Sequence, residues 1–508
     1  MSVRSEDNAC LEYVDVALMS ETLASVDLSG ITSASFSFAR LDSCGDDGKY
    51  YAFCSCPALQ TLLLPHADEL SFDYYPFLQC DNLKKLVMPS SLKKLNLSKY
   101  AIFYGSSITD FVSEKGGEGF ELAGTFQKAA SLKNIDIDVL NVPDNCFWNC
   151  PALENLDLPK VKTIGKNIFV EKRSDVPPAL KSLNLPVVET IGEWAFSNQT
   201  ALEELNLPEV ISVGQYAFCN CTALRSFDAP KLREVGKISS KHSYSYVFSG
   251  CTSLEQVSLG SVTELGDNCF YNCASLKQAI FPSVEKMGDD VFCGCASLER
   301  VEFSSSLKKI GKECFMNCAA LKSISIPNCT SVGISAFSGC SHLSDVEANA
   351  MKYIGAYAFS HCVELRGISL SEVKSIGEYA FEGCCKLAEI SILKCTSLGK
   401  GAFAGCIGMS QEVLTLGTVY EIGDNCFSDF PKLTILDLTK GLSTRSSQCF
   451  PPSVKVVINR DNWPVDCPLN AFSLMNLPEC TLYVPAAVIE RYKSKNGWTD
   501  FGTILPIE

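Results

Sequence analysis

A chain of 508 residues with 46% apolar residues can fill a sizeable core, and its 43 basic against 58 acidic residues leave a net charge of −15. That balance works against a nucleic-acid backbone or an anionic membrane surface as partner, and favours a basic or cationic one. No apolar run reaches 18 residues, so no transmembrane helix is predicted.

Residues 1–50 lack a regular unit. Leu11-Glu-Tyr-Val-Asp-Val and Leu23-Ala-Ser-Val-Asp-Leu read as degenerate strands of an N-terminal cap, which must present a polar outer face. From about residue 51 one unit is copied. Its phenylalanines are Phe147, Phe169, Phe196, Phe218, Phe248, Phe270, Phe292, Phe315, Phe337, Phe359, Phe381, Phe403 and Phe427, and most steps are 22 residues. Phe53, Phe77 and Phe126 continue the series backwards, and Phe450 and Phe472 forwards. A fixed period in the twenties predicts a solenoid, one coil per unit, in which only stacked neighbours bury the core.

Each position of the unit has a physical reading. In Leu202-Glu-Glu-Leu-Asn-Leu-Pro208 apolar and polar residues alternate, which predicts a half-buried strand ended by proline. A short second strand follows, closed at Ile-Gly by a turn that a Cβ would obstruct. The segment Glu193-Trp-Ala-Phe-Ser-Asn predicts one helical turn that drops the phenylalanine into the core. Three insertions interrupt the series: about eighteen residues centred on 100–119, five around 172–177, and Ser239-Ser-Lys-His-Ser-Tyr-Ser-Tyr246. Insertions in repeat proteins map to loops, often on a binding rim, and the third offers Tyr244 and Tyr246 as contacts. Beyond Pro451-Pro452 the pattern changes; residues 451–508 predict a closing unit with a helix over 485–495.

The unit Ile-Gly-x-x-Ala-Phe-x-x-Cys-x-x-Leu-x-x-Ile-x-Leu-Pro resembles the BspA-like class of leucine-rich repeat, over roughly residues 50–450. The end, Cys480-Thr-Leu-Tyr-Val-Pro485 to Trp498-Thr-Asp-Phe501, is similar to the ends of many such proteins from Bacteroides relatives. The resemblance implies an α/β repeat solenoid: a curved right-handed coil of about 22-residue units, with a parallel sheet on the concave face and short strands and single helical turns elsewhere. It also implies a cell-surface or secreted adhesion protein whose partner is a protein or glycan on a host or microbial surface. A fold does not transfer a partner. The N-terminus has no apolar signal region, so either a signal peptide has been removed or the protein is cytoplasmic.

Twelve of the 27 cysteines follow a repeat phenylalanine by three residues, from Cys56 to Cys406. A cysteine in register with every coil predicts a buried column of unbridged thiols. Parallel stacking aims neighbouring Cβ vectors the same way and disfavours disulfides. No Cys-x-x-Cys pair supports zinc, and no Asp-x-Asp-Gly loop supports calcium. Four separated histidines, and cysteines in a buried register, offer no activated nucleophile. The expectation is a non-enzyme without metal or cofactor.

The outward strand positions form polar columns. The candidate binding surface is Asp136, Asp157, Asn184, Asn206, Asp228, Arg300, Glu302 and Glu347, with Tyr244 and Tyr246 from the third insertion. This surface lacks the Trp and Tyr of a sugar-stacking platform. The expected function is a rigid polar surface presented to a protein or glycan partner. The rival readings are an intracellular interaction scaffold and a passive spacer.

Overall fold

The computed structural model describes residues 14–16, 18–19, 25–28, 32–38, 53–54 and 56, and then 58–507 apart from 73–76, 78–79, 98–105, 170–179, 237–244, 441 and 443–444. The chain divides into two compact units, Met1–Gly260 and Ser261–Glu508. Each is a parallel β-solenoid.

In the first unit the leucine strands Ser25–Asp27, Thr61–Leu63, Lys85–Met88, Asp110–Ser113, Asn134–Asp136, Asn155–Asp157 and Ser182–Asn184 stack in one parallel sheet. Leucine pairs with leucine or its equivalent at each step, as at Ile135, Leu156 and Leu183. The short second strands stack separately, from Asn141–Val142 to Glu234–Val235. Strand Asp110–Ser113 lies between the strands at 85–88 and 134–136, so part of the first predicted insertion is a further coil. The preceding strand, Lys94–Leu97, belongs to another sheet.

The second unit repeats this plan. Its second strands run from Lys309–Ile310 through Ser331–Val332, Tyr353–Ile354, Ser375–Ile376 and Ser397–Leu398 to Glu421–Ile422. At its end the strands Val413–Leu416, Ile435–Leu438, Val456–Asn459, Thr481–Pro485 and Thr503–Ile507 pair in parallel. The helix Ile489–Lys493 packs beside the last two, within the predicted span. Tyr492 and Trp498 are fully buried there, their polar ends donating to Asp461 O at 2.8 Å and Val465 O at 2.9 Å.

The phenylalanines form a stacked column in each unit. Successive ring centroids lie 5.6–6.0 Å apart from Phe126 to Phe248. They lie 5.0–5.9 Å apart from Phe270 to Phe472, so the two forward extensions, Phe450 and Phe472, are part of the column.

The segment carrying each phenylalanine is not a helical turn. Around most of the phenylalanines the residues two before and two after adopt left-handed φ, as at Trp194 (59°) and Asn198 (62°) around Phe196. This backbone turns alternate N–H groups along the stack. Trp194, Phe196 and Asn198 donate to the carbonyls of Gln215, Ala217 and Cys219 at 2.9, 2.8 and 2.7 Å; Tyr357, Phe359 and His361 do the same to Glu378, Ala380 and Glu382. A helix would direct those donors within the coil, so the turns instead supply a third inter-coil ladder. Nine of the twenty described non-glycine residues with left-handed φ are asparagine, the side chain that best tolerates it.

The repeat glycines belong to the same logic. A Cβ on Gly355 would lie 2.6 Å from the backbone of Gly333 and Ile334, so the coils meet there backbone to backbone.

Candidate functional site: the polar strand face and its breaks

In each unit the side chains between the buried strand positions are polar, and they fall into two classes. Along the first, hydrogen bonds run from coil to coil. Asn155 donates to Asn134 and Asn134 to Asp110, both at 2.6 Å. Asn184 donates to Asp157 at 2.8 Å, and Lys115 pairs with Asp136. That hydrogen bond raises the Lys115 pKa. In the second unit Arg300 pairs with Glu302 at 2.8 Å, and Ser325 donates to Glu347 at 2.6 Å. These side chains spend much of their polar capacity on one another and are held in place.

Asn206 and Asp228 form the second class. Both are exposed, as is Glu204, and none of the three side chains has a hydrogen bond or ion pair among the described residues. They flank a break in the leucine sheet. Strands stop at Ser182–Asn184 and resume at Ser226–Asp228; residues 201–206 form none. Arg225 N–H to Glu203 O, at 3.0 Å, is the backbone bond left across this stretch among the described residues. Leu183 and Leu205 are only half-buried, whereas Leu156 and Phe227 are 1% and 2% exposed. Gln199 sits here in place of the column cysteine. Its Oε1 accepts the N–H of Leu180 at 3.2 Å, and its buried Nε2 has no partner among the described residues.

The second unit contains a similar break. Strands stop at Gly367–Ile368 and resume at Val413–Leu416. Gln411 Oε1 accepts the N–H of Ile390 at 2.8 Å, replacing a backbone acceptor. A glutamine beside a missing ladder bond is the sequence signal for both breaks, and periodicity alone passes over it.

Tyr246 lies in a left-handed turn and stacks on Tyr216 at 5.0 Å, which stacks on Trp194 at 3.9 Å and 6°. Tyr216 lies between the other two rings, which cover both of its faces. Tyr244 lies outside the described residues.

The thiols carry no sign of nucleophile chemistry. Cys150, Cys221 and Cys251 in the first unit donate to the carbonyl of the preceding coil's phenylalanine at 3.0–3.2 Å. Cys295, Cys318, Cys340, Cys362, Cys384 and Cys406 do so in the second. The cysteines from Cys56 onward are free, and all of these but Cys385 are buried. Burial pushes the Cys150 and Cys406 thiols up to about 12, away from the reactive thiolate. His342 Nδ1 lies 2.7 Å from Ala319 O and His361 Nδ1 2.8 Å from Ser360 Oγ. Cys340 and Cys362 are directed to carbonyls instead. Among the described residues, no group of three or more His, Cys, Asp or Glu is arranged to hold a metal ion, and no helix is long and apolar enough to cross a membrane.

Comparison with curated proteins gives no match. Among solved structures, a leucine-rich repeat protein from Bacteroides ovatus is 19% identical, covering 76% of this chain and 93% of its own, with a TM-score of 0.42. A leucine-rich cell surface protein from Faecalibacterium prausnitzii is 18% identical, covering 75% and 91%, with a TM-score of 0.30. An internalin from Listeria monocytogenes is 15% identical, covering 72% and 84%, with a TM-score of 0.23. The model of the BspA-type leucine-rich repeat region, six copies long, matches residues 46–174, 175–296, 263–387 and 352–458. With the repeat matched from residue 46 to residue 458, the chain belongs to the BspA-type leucine-rich repeat family.

Proposed function

We propose that this protein is a non-enzymatic adhesion protein that acts at a cell surface and binds a basic protein segment through its polar strand face. The observation that carries the reading is the exposed, unpartnered set Glu204, Asn206 and Asp228 beside the sheet break. The neighbouring ladder of Asp110, Asn134 and Asn155 supports it, because side chains already held in register lose little freedom on binding. A protein partner is favoured over a glycan, since Glu204, Asn206 and Asp228 are carboxylates and an amide with no aromatic ring among them on which a sugar could stack. The surface location rests on the resemblance to the BspA-type family.

The test is a binding array of purified surface proteins and glycans, probed with the wild-type chain and with E204K/D228K. The variant should fold normally, lose its basic protein partner, and restore nothing on the glycan spots. Binding unchanged by the double reversal, or confined to glycans, would overturn the reading.

A further inference from the structure

The second strands of the second unit end at Glu421–Ile422, and a cleft of about 580 Å³ opens beside them. Its volume is within the range of small-ligand sites, about 300–1,000 Å³. Its lining includes Gly399 and Gly423, two cations, Lys400 and Arg445, and two carboxylates, Glu378 and Glu421. All four are exposed, and none forms an ion pair among the described residues.

Neighbouring coils do match some charges along the stack, as Lys386 does with Glu364 and Lys394 with Glu372, both at 2.6 Å. A third carboxylate in the cleft, Asp424, is already engaged, accepting from the N–H and Oγ of Ser447 at 2.6 and 3.3 Å. Glu421 accepts only a long bond from Ser397 Oγ, at 3.4 Å. Lys400 Nζ lies 6.0 Å from the centroid of the Tyr379 ring. That ring rests on Gly401, where a Cβ would come within 2.5 Å of it. The nearest aromatic face is therefore covered, which argues against a stacked sugar.

Charges of both signs line one cleft without neutralising each other. Lys400 and Arg445 stand on coils two steps apart, a span of roughly 10 Å at about 4.8 Å per step. We infer that this cleft binds a short zwitterionic peptide. Its carboxylate meets Arg445 and Lys400, and its ammonium group meets Glu378 and Glu421. Charge-assisted hydrogen bonds of this kind are stronger than neutral ones and demand the matching group on the ligand. The site is separate from the strand face and does not depend on the function proposed for it.

The experiment is calorimetric titration of the full chain with alanyl-alanine, its N-acetyl derivative and its C-terminal amide. The free dipeptide should bind at least tenfold more tightly than either capped form. Arg445→Gln should erase the preference for the free carboxylate while keeping that for the ammonium group, and Glu421→Gln should do the reverse. Lys322→Gln, on a surface pair with Glu299 outside the cleft, should change nothing. Absence of heat at millimolar dipeptide, equal binding of the capped forms, or preferences that survive both substitutions would each overturn the inference. The E204K/D228K variant should bind the dipeptide like wild type, so failure here and failure of the strand-face reading are read separately.

Discussion

The thiol column makes stability depend on alkaline pH. Cys318, Cys340, Cys362, Cys384 and Cys406 are buried, and burial raises the pKa of each. In the unfolded chain a thiol titrates near 8.5. The unfolded state therefore loses these protons first, and the folded state binds more protons above that pH. Stability is full below pH 8 and falls as pH rises. At pH 9.5 each thiol costs about 1.4 kcal/mol, so five cost roughly 7 kcal/mol, comparable with the whole stability of a typical domain. Urea denaturation at pH 7.5, 8.5 and 9.5 should show the midpoint falling steeply. C340A/C384A should be weaker at pH 7.5 yet fall by about 3 kcal/mol less than wild type on going to pH 9.5. A thiol count should find the described cysteines other than Cys385 unreactive in the fold and free in denaturant. A midpoint that does not move between pH 7.5 and 9.5, with the thiols free once unfolded, would refute the reasoning.

Three further outcomes test the architecture. Gly355→Ala should destabilise by about 1–3 kcal/mol, because the new Cβ meets backbone that cannot withdraw. Gly367→Ala, exposed with nothing within 4 Å of its Cβ, should stay within about 0.5 kcal/mol by the same denaturation assay. Asn317 holds φ of 63°, so Asn317→Gly should be nearly neutral and Asn317→Val should cost about 1–2 kcal/mol. In hydrogen exchange, the amides of Glu204, Leu205 and Asn206 should exchange faster than those of Asn155, Leu156 and Asp157; equal protection would mean that the sheet is unbroken in solution.

The sequence by itself determined the coil. A phenylalanine every 22 residues, with cysteine three beyond and alternating leucines after it, leaves one way to bury all three: stack the units in register. The Phe column, the thiol column and the outward polar columns follow from that, because each is set by spacing along one repeat. Tertiary structure decided how the backbone runs between the columns. Glu193-Trp-Ala-Phe has helical spacing, yet the turns take left-handed φ so that their N–H groups reach the next coil. Asparagine and glycine around the phenylalanine carried that signal, and hydrophobic periodicity does not register it. Tertiary structure also decided which polar residues are available. Asp136 and Asp228 occupy the same position of their units, but Lys115, brought alongside by an extra coil, pairs with Asp136 alone. The breaks beside Gln199 and Gln411 and the charges around Lys400 and Arg445 depend on contacts between coils. A period states what recurs in every unit, whereas a site arises where one unit departs from its neighbours.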